Sequence, residues 1–394
     1  MTTSLDSFQA ASSQTSGRWT PDPSLPTVVL LFGGQSGEHQ ISCATAGGVL
    51  RVVDPQEWNV IPVGITPSGR WVPMPWDPEI YDLTDGGGYV VPEGPTRVTF
   101  TPGSSLLTQF EVDEGDMPIP GSLEVLGEAD VVFPLLHGPF GEDGTVQGLL
   151  ELSKVRYVGC GVASSAVCQD KHLTKTVLAG AGIDVGSWVT FTKREWDSDQ
   201  ETIEAQIGEL GFPVFVKPCR AGSSLGVSRV MSPESLTEAV EGAQEHDPRV
   251  IVEAAVSGRE VECGVLVTAD GELHTSAIGE IKVLGDDFYD YETKYFDAEG
   301  VALECPANLP GAVVERIKAT AARAFEALEG EGISRIDFFY DDATDRLVLN
   351  EVNTMPGFTP FSMYPVMFQE EGLAYGELVE ALLGEAESRR MGLR

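Results

Sequence analysis

Unbroken apolar runs alternate with helically spaced stretches through the first part of the chain. TVVLLFGG from Thr27, WNVIPVGIT from Trp58 and ADVVFPLLHG from Ala129 predict strands buried on both faces, as in a parallel sheet. After the first and third come SGEHQISCATAGGVLRVV and TVQGLLELSK, whose spacing predicts helices, and RYVGC reads as a short closing strand. Residues 27–163 therefore read as an open parallel α/β domain. Between Met74 and Asp130 the pattern breaks into Pro, Gly and acidic residues with short β-like runs such as RVTFTP, which predicts an insertion or loose subdomain at about 74–130.

A different module begins near Ser164. The helix DKHLTKTVLAGAG, the strand GFPVFVKP, the loop CRAGSSLGVSRV, the helix SPESLTEAVEGAQEH and the strand RVIVEAAVSGREVECGVLV follow one another. EIKVLGDDFYDYETKYFDAEG is too polar and aromatic for a core strand and reads as a loop. SRIDFFY and DRLVLNEV alternate on either side of DDATD, the pattern of a hairpin with turn chemistry between its strands. ERIKATAARAFEALE and YGELVEALLGEAESRR are amphipathic helices by spacing. The leader, residues 1–26, has neither a charged n-region nor an apolar run and reads as a disordered tail.

Charge narrows the functional classes. The formal net charge is −36, with 25 Lys plus Arg against 61 Asp plus Glu, so unspecific attraction to nucleic acid or to an anionic membrane is disfavoured. An anionic substrate would have to be held by locally placed cations. The 394 residues, 42% of them hydrophobic, suffice for two or three domains. Six Cys without a CxxC pair suggest reduced thiols in a cytoplasmic chain. No run is long enough to span a bilayer.

The hairpin carries the most specific chemistry. It brings Asp337 opposite the region of Glu351, and Glu351 and Asn353 share one face, their side chains starting about 7 Å apart at a rise of about 3.4 Å per residue. Oxygen ligands without His or Cys favour magnesium over zinc, the alternative being a solvated acidic hairpin. Lys217 lies in an apolar run, so an anion is expected beside it. AGSSLG links strand to strand; it suits a phosphate-covering flap and excludes a Walker A site, which needs a following helix. Glu38 stands at a helix start, either as an ammonium acceptor or as a carboxylate stabilising the helix N-terminus. His137 is delivered to the end of a buried strand, where open α/β sheets place ligand contacts, the alternative being a hydrogen-bonded loop histidine. Backbone groups after Glu253 could pair with an adenine edge while Glu260 accepts from ribose hydroxyls.

The ordered set GGQSGEHQIS, HGPFGEDGTVQG, DKHLTK, VFVKPCRAGSSLGVS, VEAAVSGREV, FYDYETKYF, RID and NEVNTMPGFTPFSMYP resembles the ATP-grasp superfamily and, within it, the D-alanine:D-alanine ligase family. That resemblance implies a three-domain ATP-grasp architecture: the N-terminal domain, a central subdomain over 164–256 and a C-terminal subdomain over 257–394 with the metal and acceptor site. It implies that Lys171 and Lys217 bind ATP phosphates with Lys294 near the γ-phosphate, that Glu253 and Val256 form the adenine hinge, and that Glu260 takes the ribose. Asp337, Glu351 and Asn353 match ligands of two Mg2+ ions, with Mn2+ able to substitute and a monovalent cation as an optional addition. Glu38 matches the acceptor of the first D-alanine's ammonium and His137 a partner near that substrate. Arg335 and the Gly357 backbone match oxyanion stabilisers, Ser362 and Met363 the second D-alanine's carboxylate site, and Ser223 and Tyr295 the loop residues that close the site with Glu38.

The activity so implied is ATP-dependent ligation of two D-alanines through an acyl phosphate, for peptidoglycan precursors, by a cytoplasmic homodimer without nucleic-acid or membrane partners. Two other readings stand beside it. One is a ligase taking D-lactate or D-serine as second substrate, against which Tyr295 argues. The other is a nucleotide-binding protein without turnover, which would need the lysines but not Arg335. The chain departs from the family's pattern in Ala-Ala-Val after Glu253 and in Pro-Phe within HGPFGEDG.

Overall fold

The structure, a computed structural model, describes residues 21–84, 87–222, 225–283 and 301–391. The chain opens with β1 (Thr27–Gly33), α1 (His39–Leu50), β2 (Asn59–Ile65) and β3 (Trp71–Pro73). A small antiparallel sheet follows, β4 (Thr96–Phe100), β5 (Leu106–Glu111) and β6 (Glu124–Glu128), and then β7 (Val131–Pro134), α2 (Thr145–Leu152) and β8 (Arg156–Tyr157). β1 lies parallel to β2 on one side and to β7 on the other, in the order β3-β2-β1-β7-β8. Every residue of β1 and β2 is buried, which is why these strands read as continuous apolar runs rather than alternating ones.

The insertion is less loose than its composition predicts. Val98, Phe100 and Leu107 of the small sheet share a core with Val29, Leu31 and Ile61 of the large one. Tyr81 is fully buried, its ring edge-on to Phe32 at 5.1 Å and to Tyr89 at 5.2 Å. Aromatic burial of this size offsets the ordering cost of a Pro- and Gly-rich segment. The end of the leader is also fastened: Asn59 accepts from the Asp22 N–H and donates to the carbonyls of Asp22 and Leu25.

The next module runs through α3 (Val162–Gln169), α4 (Lys171–Gly180), β9 (Trp188–Thr192), α5 (Lys193–Ser198), α6 (Gln200–Leu210), β10 (Val214–Pro218), β11 (Ser228–Val230), α7 (Leu236–Gln244) and β12 (Arg249–Ala254). Its strands form one antiparallel sheet in the order β11-β10-β12-β9. The last sheet takes β13 (Arg259–Val267), β14 (Leu273–Val283), β15 (Val301–Glu304), α8 (Gly311–Ala327), β16 (Ile333–Asp341) and β17 (Arg346–Asn353), followed by α9 (Met363–Glu370) and α10 (Tyr375–Ser388). Its order is β15-β14-β13-β16-β17, antiparallel throughout.

Two details differ from the sequence reading. The apolar run 249–267 is two strands in two sheets, broken at Ser257-Gly258. Gly258 has φ +144° and its Cα lies so close to the Tyr340 carbonyl that a Cβ would sit 2.6 Å from the oxygen; only glycine fits there. Glu280–Val283, assigned to the following loop, continue β14 and pair with β15. Glu280 is held there by a two-pronged hydrogen bond from Arg259 at 2.8 and 2.7 Å.

Packing crosses the linear order of modules. Leu178, Ile183 and Val185 join the core of the β13–β17 sheet, while Leu378, Val379, Leu382 and Leu383 of α10 pack against the β1 sheet. Four of the six thiols are buried, none is in a disulfide, and burial pushes Cys43, Cys219 and Cys263 up to about 12. Among the described residues no helix is long and apolar enough to cross a membrane.

Candidate active site

The site lies where the loops after β1 and β7 meet the hairpin β16–β17. β1 ends on Gly33, whose φ is +90° and where a Cβ would stand 2.4 Å from the Ile65 carbonyl; no other residue permits that turn. The chain then enters α1 with Glu38 at its N-cap. Its carboxylate approaches Gly138 of the second loop. His39 braces the turn: its Nδ1–H donates to the Gly34 carbonyl at 2.6 Å and its Nε2 accepts from the Val91 N–H at 3.0 Å.

His137 is buried at the end of β7. Its Nδ1 donates to the Met355 carbonyl at 3.0 Å, and among the described residues no hydrogen-bond partner meets its Nε2. That leaves Nε2 as the acceptor nitrogen in the neutral ring. Five residues on, Glu142 accepts from the Gly138 N–H at 2.7 Å and from the Met355 N–H at 3.0 Å. Met355, in the turn that leaves β17, is thus held from the first domain through both its carbonyl and its N–H. Desolvation outweighs these two donors and pushes the Glu142 carboxyl up to about 8, with Glu38 adding to the rise.

The hairpin register is Asp337 opposite Glu351 and Arg335 opposite Asn353, with a bulge on β17 at Asn350. Strand alternation sends Ile336, Phe338, Leu349 and Val352 into the core and these polar residues to the other face. Arg335 donates to Asp337 from Nε at 2.8 Å and from Nη2 at 2.7 Å, and its Nε lies 3.3 Å from Glu262 of β13. Burial alone would depress Arg335, but Asp337 and Glu262 hold it well above the usual guanidinium range. The Asn353 amide donates to Asp337 at 2.9 Å.

Lys171 begins α4, whose N-terminus is capped by Asp170; its Nζ donates to the Ala221 carbonyl at 2.6 Å. Burial lowers its pKa, against the pull of Glu351. Glu38, His137, Glu142, Lys171, Arg335, Glu351, Asn353 and Gly357 all line one cleft. Beside it, Glu253 bridges Lys217 at 2.6 Å and Lys175 at 2.9 Å. Burial would raise Glu253, but the two ammonium groups hold it down at about 2. The anion expected beside Lys217 is therefore a carboxylate of the neighbouring strand.

Residues 27–160 match the family model described as D-ala D-ala ligase N-terminus and residues 177–384 the one described as D-ala D-ala ligase C-terminus. The chain belongs to the D-Ala D-Ala ligase family. It is 52% identical over 379 residues to the D-alanine–D-alanine ligase of Kineococcus radiotolerans, covering 94% of this chain and 98% of that one. Among solved structures it resembles the VanG D-Ala:D-Ser ligase of Enterococcus faecalis, at TM-score 0.76 and 33% identity over 92% of this chain and 99% of that one. The D-alanine–D-alanine ligase of Coxiella burnetii follows at TM-score 0.75 and 31% identity, over 93% and 94%. The fold is thus that of the ATP-grasp ligases, and this chain is a ligase.

Most residues singled out for the family's chemistry converge, though not all in one place. Lys217, Glu253, Val256 and Glu260 lie outside the lining of the central cleft, and so does Asp337, which is buried beneath it with its oxygens held by Arg335 and Asn353. Ser362 stands at the N-cap position of α9, and its Oγ accepts from the Thr359 N–H at 3.1 Å, close to Gly357. Met363 is buried with its sulfur against Gly279. Ser223, Lys294 and Tyr295 lie outside the described residues. Three residues escaped the sequence reading: Glu142, Glu262 and Lys175. Lys175 stands four positions after Lys171 on the same helix, and Glu262 two after Glu260 on the same strand, so helical and strand periodicity would have found both.

Asp337, Glu351 and Asn353 offer two carboxylates and an amide oxygen, donors that suit a hard divalent cation. Among the described residues no group of three His, Cys, Asp or Glu could hold a metal ion.

Proposed function

We propose that the chain joins two D-alanines into D-alanyl-D-alanine at the expense of ATP, giving ADP and phosphate. The observation that carries this reading is the meeting, in one cleft, of Glu38, His137, Lys171, Arg335, Glu351, Asn353 and the Gly357 backbone. An ammonium acceptor, a phosphate-binding cation and an oxyanion donor are what that reaction needs together.

Glu38 takes the ammonium of the first D-alanine and leaves its carboxylate facing the γ-phosphoryl group. A carboxylate oxygen attacks phosphorus, the bond to ADP breaks, and an acyl phosphate forms. Lys171 offsets the phosphate charge, and Lys217 adds to it from beside the cleft, where Glu253 already shares its charge. Asp337, Glu351 and Asn353 would hold Mg2+ ions, which supply charge neutralisation to the phosphates. The free amine of the second D-alanine, seated near Ser362 and Met363, attacks the acyl carbon. Arg335 and the Gly357 N–H stabilise the tetrahedral oxyanion, a role in which one donor contributes about 3 kcal/mol. Collapse expels phosphate, and the new amide nitrogen loses its proton.

Peptidoglycan supply, a cytoplasmic site and a homodimer through the first domain belong to the same reading. Phosphate release from MgATP should require D-alanine, fail with L-alanine, and match the dipeptide mass. Since VanG is a D-Ala:D-Ser ligase, D-serine and D-lactate belong in parallel reactions. A mixed product formed in preference to the D-alanine dipeptide would change the acceptor. ATP binding without phosphate release in any mixture would refute ligation.

A further inference from the structure

Asp337 has two calls on the same pair of oxygens. In this structure Arg335 covers both of them and the Asn353 amide adds a third hydrogen bond. A divalent cation would need those oxygens too. A guanidinium in a low-dielectric site must keep an anionic partner, so it cannot release Asp337 unless another carboxylate is within reach.

Glu262 meets that requirement. It stands directly opposite Asp337 in the β13–β16 register, so Glu262, Asp337 and Glu351 form a row across three adjacent strands. It is buried, with 2% of its surface exposed, and already lies 3.3 Å from the Arg335 Nε. We propose that Glu262 is a positioning residue: it retains Arg335 in the cleft as Asp337 turns to a divalent cation, so that one strand serves both metal binding and oxyanion stabilisation. The proposal rests on the metal role assigned to Asp337 above. Without the Glu262 charge, Arg335 keeps Asp337, with Glu351 further off, as its anions and competes with the cation for them.

The test is a titration of Mn2+ with ADP, free Mn2+ being read by electron paramagnetic resonance, on the full chain and on Glu262→Gln, Asp337→Asn and the double variant Glu262→Gln/Arg335→Gln. Glu262→Gln should weaken Mn2+ binding roughly tenfold or more, as changes to residues that orient ligands do, and lower kcat more than it raises KM for D-alanine. The double variant should bind Mn2+ at least as tightly as the unaltered chain, because the competitor has gone. It also removes both members of a buried pair, so it remains informative if the single variant does not fold. A double variant bound as weakly as Asp337→Asn overturns the proposal, as does a folded Glu262→Gln with unchanged affinity. If Asp337→Asn itself binds Mn2+ normally, the metal reading fails and the proposal with it.

Discussion

Glu142 ties two loops together with one carboxylate, and its ionisation is the residue-scale property most exposed to pH. The folded pKa, pushed up to about 8, stands above the ordinary 4.5. Between those values the folded chain holds a proton that the unfolded chain gives up, so this contribution to stability is full below 4.5 and is lost as pH rises through 8. Glu142→Gln cannot titrate, and its amide group meets one of the two N–H donors without accepting from it. The stability gap between the two proteins should therefore narrow or reverse as pH rises from 5 to 8, with a slope no steeper than about 1.4 kcal/mol per pH unit. Urea unfolding at pH 5, 6.5 and 8 reads this directly, and parallel stability curves would show that Glu142 does not titrate there. Nothing in the periodicity marks Glu142, because its importance comes from the Met355 N–H, 213 positions away. His137, by contrast, was legible from its place at a strand end.

At the scale of elements, the hairpin was the most legible part of the chain and also concealed its own irregularity. Plain alternation along RLVLNEVN would make Leu349 and Glu351 neighbours on one face, yet Leu349 and Val352 both enter the core. The bulge at Asn350 reconciles them, and it is what brings Glu351 opposite Asp337. The polar pair Asn350-Glu351 between two core positions was the available signal. Deleting Asn350 should leave the sheet folded with Leu349 and Val352 in the core and Glu351 still opposite Asp337, but it removes the local bend and twist that the bulge adds and so changes the direction of the Glu351 carboxylate. A displacement of about 1 Å can cost on the order of a hundredfold in rate, so kcat should fall at least tenfold with far-ultraviolet circular dichroism unchanged. Activity within a factor of two of the unaltered chain would show that the bulge is not what aims the carboxylate. Where the stretch before β9 packs was less legible, for the opposite reason. Ile183 and Val185 precede β9 in sequence but pack under β13 and β16, and no local pattern reports which sheet a connecting segment will join.

Over the whole molecule, the cleft depends on two sheets being held against each other from behind. α10 packs its Leu378, Leu382 and Leu383 on the β1 sheet, and Arg389 donates to the carbonyls of Tyr157 and Gly159 at 3.2 and 2.7 Å while paired with Glu385. Around this frame the chain carries a formal charge of −36. An incoming nucleotide is itself anionic, so the long-range field opposes its approach, whereas Lys171 and Lys217 attract it only at short range. The two contributions respond differently to salt. With a Debye length of about 10 Å at 0.1 M, diffuse surface repulsion is screened while partly buried pairs are screened much less. Association of MgATP should therefore quicken between 0.02 and about 0.2 M KCl, the reverse of an electrostatically steered encounter, in which rates fall with salt. Stopped-flow fluorescence of nucleotide binding at fixed free Mg2+, with a tetramethylammonium series to separate specific K+ effects from screening, measures this. A rate that falls with salt would mean that the local lysine field dominates the approach despite the charge of the whole.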